Sequence, residues 1–300
     1  MSRPAAAETL GMALGFVAVA VFAGSLPATR LAVASLDANF VTAARAAIAG
    51  IIALPVLAVG RRPPPWRDLP KLGLAAICLA AGFPAFSAFA LRSLPAAHGG
   101  VVLGALPLAT AVVAALVDRE RPSPAFWLCS GLGAALVVGF ALSRGGGALR
   151  AGDALLLVAV ACAAVGYTLS GQLSRRLPAR EVISWVVVLA LPISAPLSFA
   201  WRPADPGAVG LLAWASLAYL GAMSMYLGFF AWNAGLALGG VARVGQVQLV
   251  QPFLTFAIAA ALLGEQIDAE TAISALVVVA LVFASRRTRV DAPRTAAAQA

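Results

Sequence analysis

Apolar residues in this chain come in blocks, and the breaks between blocks are short, charged or rich in Pro and Gly. At about 20 residues per crossing, the pattern predicts ten membrane-spanning helices. They cover residues 10–28, 39–59, 72–91, 98–117, 124–142, 154–173, 182–201, 209–233, 241–263 and 269–284. A surface helix of a soluble protein would set an apolar stripe against a polar face, whereas these blocks are apolar all round. Their connections are too short to hold a soluble domain. The expected class is an all-α integral membrane protein. The first block, preceded by Arg3, has the outline of a signal peptide. One Arg set against Glu8 makes a weak basic region, so the block is read as an uncleaved span.

Composition agrees: 62% of residues are hydrophobic and 11% charged, against about a quarter charged in a soluble chain. The net charge of +9 does not mark a nucleic-acid binder, because the cations sit in the gaps between apolar blocks and form no contiguous patch. Their placement sets orientation instead. With residues 1–9 inside, fifteen of the 21 cations fall on the cytoplasmic side. These are Arg3, Arg61, Arg62, Arg67, Lys71, Arg119, Arg121, Arg175, Arg176, Arg180, Arg243, Arg286, Arg287, Arg289 and Arg294. Outside lie Arg30, Arg92, Arg144, Arg150 and Arg202, and Arg45 falls within the second span. Both termini are therefore expected in the cytoplasm, the protein in the inner membrane, and the basic, then alanine-rich tail 286–300 without structure. Cys78, Cys129 and Cys162 have no metal-ligand spacing, and His98 is the lone histidine. No metal, cofactor or disulfide is expected.

The chain also repeats itself. Leu106-Pro107-Leu108-Ala109-Thr110, running on through Ala114-Ala115 to Glu120, recurs 145 positions later as Gln251-Pro252-Phe253-Leu254-Thr255, through Ala259-Ala260 to Glu265. An offset of 141 pairs Val17–Ala20 with Val158–Ala161, and Pro55 with Pro196. The halves are read as residues 10–145 and 146–285. Five helices each, an odd number, would set the two copies upside down to one another. That is the inverted-repeat plan of secondary transporters, whose site lies near the midplane between repeats.

Arg45 in the second span, with the frames Pro107…Glu120 and Pro252…Glu265, resembles the drug/metabolite transporter superfamily, EamA-type, and its amino-acid-exporting YddG-like branch. The resemblance covers residues from about 10 to 285. It implies a ten-helix basket with helices one, three, four, six, eight and nine around a central cavity. Few charges are available to line that cavity, which leaves the substrate open.

Polar groups in hydrocarbon need a partner or a wet cavity, and this singles out the site candidates. Gln248, Gln251 and Thr255 share one face of the ninth span at 100° per residue. Pro252 there, and Pro107 beside Thr110 in the fourth, each remove a backbone hydrogen bond and free a carbonyl. Breaks in both halves mark either a binding site or a kink that only shapes packing. Tyr219, Met223, Tyr226, Phe230 and Asn233 form a stripe on the eighth span that either lines the cavity or packs against a neighbour. Tyr167, Ser170, Ser25 and Phe83 are weaker cavity candidates. His98 and Arg243, related by the 145 offset, are either symmetric gates greeting a carboxylate or side chains snorkelling to headgroups. Arg45, Glu120 and Glu265 are read as structural charges, with an Arg45–Glu265 pair possible on the outer side. Gly100/Gly104 and Gly235/Gly239 read as close-packing sites.

The expected function is a secondary transporter that exports or facilitates passage of amino acids, aromatic or amphipathic, or similar small metabolites, by alternating access. No Asp or Glu falls mid-span, so uncoupled transport is expected. The alternative is a polyspecific, proton-coupled drug exporter of the same fold. An intramembrane enzyme would need a nucleophile and base on facing helices, and none is evident. The partners expected are the lipid bilayer and a small-molecule substrate.

Overall fold

A bilayer core offers no water to unpaired N–H and C=O groups, so apolar blocks of this length satisfy their backbone internally as helices. The computed structural model of the protein describes residues 5–60, 65–117, 121–122, 124–144, 150–239, 244–287 and 290–291. In chain order its main helices are α1 (Thr9–Val33), α2 (Ala38–Gly60), α3 (Trp66–Ala90), α4 (Ala96–Val117), α5 (Pro124–Arg144), α6 (Ala151–Leu173), α7 (Ala179–Ala200), α8 (Leu211–Leu238), α9 (Gln251–Leu263) and α10 (Ala269–Arg287). Among the described residues, seven are long and apolar enough to cross a membrane: α1 to α4 and α6 to α8. Within α5, α9 and α10 the apolar stretches are shorter, over Gly131–Phe140, Gln251–Leu263 and Ala269–Leu281. Each predicted block is thus largely helical over its described residues, but length alone does not bring the crossings to ten.

The helices pair across the two halves. α2 packs along α7, α1 along the second part of α8, α3 on α6, α4 on α9 and α5 on α10. Lipid tails are as apolar as leucine, so association depends on close packing and interhelical hydrogen bonds. Glycines permit the closest approaches. A Cβ on Gly235 would stand 2.9 Å from the carbonyl oxygen of Gly11. On Gly221 it would stand 2.7 Å from Ile48 Cβ and 3.1 Å from the Arg45 carbonyl oxygen.

Polar contacts sort the connections into two ends. At one, Arg176 pairs with Asp68 at 2.8 Å and Lys71 donates to Gln172 at 3.2 Å. At the other, Arg30 donates to the Leu91 carbonyl, Ser143 meets Glu270, and the Glu265 carboxylate accepts from the N–H groups of Ala96 and Ala97 at 2.8 and 2.9 Å. Most of the tail expected to lack structure, residues 288–289 and 292–300, lies outside the described residues. α10 runs to Arg287, and Val290–Asp291 pairs antiparallel with Arg121–Pro122.

Among the described residues, five irregularities interrupt the helices. α1 breaks at Gly24, and α4 turns at Gly104–Ala105 just before Pro107. α3 and α8 each contain a π-helical stretch, Ile77–Gly82 and Tyr219–Leu227. A 3₁₀ segment, Gly245–Val250, precedes α9. π segments are rare and concentrate at functional sites. Here they occupy the third helix of each half.

Candidate functional site

The break in α1 organises the site. Pro27 has no N–H to give to the Ala23 carbonyl four residues back, and the Thr255 hydroxyl from α9 supplies that bond instead, at 3.0 Å. Two residues earlier the Tyr219 hydroxyl from α8 donates to the Val21 carbonyl, and its phenolic oxygen lies 2.5 Å from where a Cβ on Gly24 would be. Two residues expected to line a cavity, Thr255 and Tyr219, therefore fasten the broken helix to α9 and α8. Their hydroxyls are used up by main-chain carbonyls that a regular helix would have satisfied.

Beside this break lies an internal cavity of about 30 Å³, room for about two water molecules. It is lined by Phe22 and Ser25 of α1, Arg45 of α2, Leu79 and Phe83 of α3, Leu103 and Leu106 of α4, Ala163 and Tyr167 of α6, Ser224, Met225 and Phe229 of α8, and Gln251 of α9. Arg45 thus adds α2 to the six helices the resemblance implies. The polar groups converge: Ser25 Oγ and Ser224 Oγ are 2.6 Å apart, and Arg45 Nη2 donates to Ser224 Oγ at 3.4 Å. Beneath them Phe22 packs on Tyr167, Phe229 and Trp232 with ring centroids 5.1–6.4 Å apart, the stacked, tilted and edge-on geometries aromatic pairs favour.

Arg45 is 2% exposed, and no carboxylate among the described residues reaches it. The Arg45–Glu265 pair raised from the sequence does not form, because both Glu265 oxygens cap the start of α4. His98 is held in a buried pair. Its imidazole lies 2.6 Å from Asp153, both side chains are buried, and the ring packs against Phe140. Asp153 also accepts from the Arg150 N–H at 2.9 Å, closing the first turn of α6. Arg243 and Glu120 lie outside the described residues.

The remaining candidates divide by geometry. Ser25, Phe83, Tyr167 and Gln251 line the cavity. Thr110, Ser170, Asn233 and Gln248 do not, yet each buries a polar atom with no hydrogen-bond partner: Thr110 Oγ1, Ser170 Oγ, Asn233 Oδ1 and Gln248 Nε2. The carbonyl that Pro252 was expected to free, that of Gln248, is taken by the Gln251 N–H in the 3₁₀ turn. A tighter helix brings the third residue on within reach, so the helix break repairs itself.

Along α8 the predicted stripe is rotated. Met223 is 38% exposed on the outer surface, Tyr226 is bonded to Ser184 at 2.8 Å, and Phe230 packs against Tyr226 with ring centroids 4.8 Å apart. Ser224, Met225 and Phe229 take the cavity face. A π turn holds more residues than the 3.6 of an α-helix, so a count at 100° per residue drifts off the inner face through Tyr219–Leu227. Phe22, Ser224, Phe229 and Trp232 escape the sequence pattern for this reason and because isolated serines and aromatics carry no periodicity. The small residue Gly221 is the signal that could have found Ser224, since it brings α8 against α2 beside Arg45.

Comparison with known proteins fits this architecture. The sequence profile of the EamA-like transporter family matches residues 9–142 and again residues 150–286. A Bacillus subtilis (strain 168) protein described as the uncharacterized transporter YdeK is 45% identical over 280 residues, 93% of this chain and 98% of its own. A solved crystal structure at 22% identity shares the fold, with a TM-score of 0.64 over 93% of this chain and 96% of that one. With the family profile matched twice and almost end to end, this chain belongs to the EamA-like transporter family and is a multi-pass membrane transporter.

Proposed function

We propose that the protein is a secondary transporter that carries amino acids or similar small amphipathic metabolites through the cavity between its halves, by alternating access. The observation that carries this reading is the convergence of Arg45, Ser25, Ser224 and Gln251 on one small cavity beside an aromatic cluster. Seven helices drawn from both halves meet there, so a relative movement of the halves changes access to it. Two occurrences of the family profile and the half-to-half pairing of helices support ten crossings arranged as inverted repeats. The π segments in α3 and α8 and the breaks at Gly24, Gly104 and Gly245–Val250 are places where helices can bend.

Transport is uncoupled in this reading. Among the described residues the cavity is lined by an always-charged guanidinium, hydroxyls, an amide and apolar groups, and by no carboxylate or imidazole. The His98–Asp153 pair, buried between α4 and α6, favours the second reading, proton coupling. Counterflow of labelled amino acids in proteoliposomes tests both. Full-rate counterflow with a protonophore present, and no accumulation under an imposed pH gradient, is the expected result. Accumulation that follows the pH gradient and is lost in His98→Gln selects coupling. No counterflow of any of the twenty amino acids or of small monocarboxylates overturns the transport reading.

A further inference from the structure

An isolated cation in the middle of a membrane protein costs several kcal/mol unless something answers it. Arg45 presents five N–H donors. One of its nitrogens, Nη2, makes a bond to Ser224 Oγ, at the long limit of 3.4 Å, and buried Nε has no partner. Among the described residues no Asp or Glu side chain is within ion-pair distance. Helix packing does not explain the charge, because a Met or Gln of similar length would fill the space without the desolvation cost. The guanidinium lines the cavity together with Ser25, Ser224 and Gln251, and it donates to Ser224, which in turn bonds Ser25.

Resting on the transport reading above, we propose that Arg45 is the oxyanion anchor of the transport site, and that the substrate is a small carboxylate whose remainder is apolar or aromatic. A planar guanidinium matches a carboxylate bidentately. The Ser25 and Ser224 hydroxyls and the Gln251 amide offer further donors to the same oxygens. Below them Phe22, Tyr167 and Phe229 present ring faces to an apolar body and, for a zwitterion, a cation–π surface to its ammonium group. The 30 Å³ cavity is far below the roughly 300 Å³ at the lower end of small-molecule sites. Binding must therefore part the helices, and Arg45 on α2 and Ser224 on α8 are the first contacts to be exchanged for the ligand. The same geometry disfavours organic cations, which would face Arg45 without a counter-charge.

The test uses the full chain and matched ligand pairs: the amino acids and small monocarboxylates against the corresponding carboxamides. Thermal protection of the detergent-solubilised protein and counterflow in proteoliposomes are read for each pair. At least one free acid is expected to protect and to exchange, its amide at least tenfold more weakly in both assays. Arg45→Gln is expected to abolish that preference and Arg45→Lys to keep part of it. The wild-type comparison stands even if the Arg45 variants do not fold. Amides or amines that exchange as well as the acids overturn the anchor while transport itself survives, and exchange of neither series overturns both readings.

Discussion

Glu265 offers the most quantitative test of the fold. Its two carboxylate oxygens accept the N–H groups of Ala96 and Ala97 at 2.8 and 2.9 Å, at the start of α4, 169 and 168 residues away in the chain. Gly264 makes this reach possible. It sits in the left-handed region at φ 66°, closing α9 with the Gly264 N–H on the Ala260 carbonyl and the Glu265 N–H on that of Ala259, the first of these being the 5→1 bond of a left-handed helix cap. Replacing Glu265 by Ala leaves two helix-start donors without their acceptor and removes a negative charge from the positive end of α4. A hydrogen bond to a charged group contributes about 1.5–3 kcal/mol, but Glu265 is half-exposed and water can take over part of its role. The net loss is therefore about 2 kcal/mol, near the upper end for a lost N-cap. At about 2–4 °C per kcal/mol, the melting temperature of the purified protein, followed by tryptophan fluorescence, should fall by about 4–8 °C. Glu265→Gln keeps one acceptor oxygen and should lose about half as much. Gly264→Ala forces a Cβ into left-handed backbone at about 1–2 kcal/mol and should fall between wild type and Glu265→Ala. A Glu265→Ala protein melting within about 1 °C of wild type would refute the reasoning, as would a Gln variant as unstable as the Ala one.

Topology follows from the charge bias. In a cysteine-free background, Arg62→Cys, Arg180→Cys and Arg287→Cys should be shielded from an impermeant thiol reagent in intact cells, and Ala204→Cys and Gln266→Cys should react; the reverse pattern would invert the protein. Gln251→Leu should preserve folded yield and reduce counterflow at least tenfold, and wild-type counterflow would make Gln251 a packing residue. The π register of α8 predicts that Ser224→Leu stops counterflow while Met223→Leu, on the outer surface, leaves it within twofold; equal effects would place both on one face. Cys78 of α3 and Cys162 of α6 are free thiols on packed helices of the two halves, Cys162 Sγ standing 2.7 Å from where a Cβ on Gly82 of α3 would be. Oxidation by copper phenanthroline should join them and slow counterflow several-fold, reversibly with dithiothreitol and not in Cys78→Ala. Full-rate counterflow by the joined protein would show that α3 and α6 move together.

Hydropathy is a property of sequence neighbours, and what depends on it is legible in the order of residues alone. The apolar blocks define helices because a membrane interior leaves the backbone no other way to satisfy itself. The Pro107 and Pro252 frames reveal the duplication, since proline and glutamate at fixed spacing recur rarely in alanine-rich helices. Cavity residues obey a different rule. Ser25, Tyr167, Phe83 and Gln251 are recognisable as polar or aromatic residues inside apolar blocks, but Ser224 and Phe229 come to the inner face only because α8 is π-helical over Tyr219–Leu227. Thr255 and Tyr219 have the chemistry of substrate ligands, yet Pro27 and the break at Gly24 give them main-chain carbonyls to bond. Arg45 reads as structural in the sequence because its likeness to the family concerns the fold, with Glu265 a possible partner on the outer side, and only the three-dimensional arrangement assigns Glu265 to α4 and leaves Arg45 facing the cavity. Each of these outcomes turns on helix rotation by a fraction of a turn or on contacts between residues more than a hundred positions apart. One-dimensional periodicity at a fixed 100° encodes neither, so tertiary structure alone decides which polar residues are spent on the fold and which remain for a substrate.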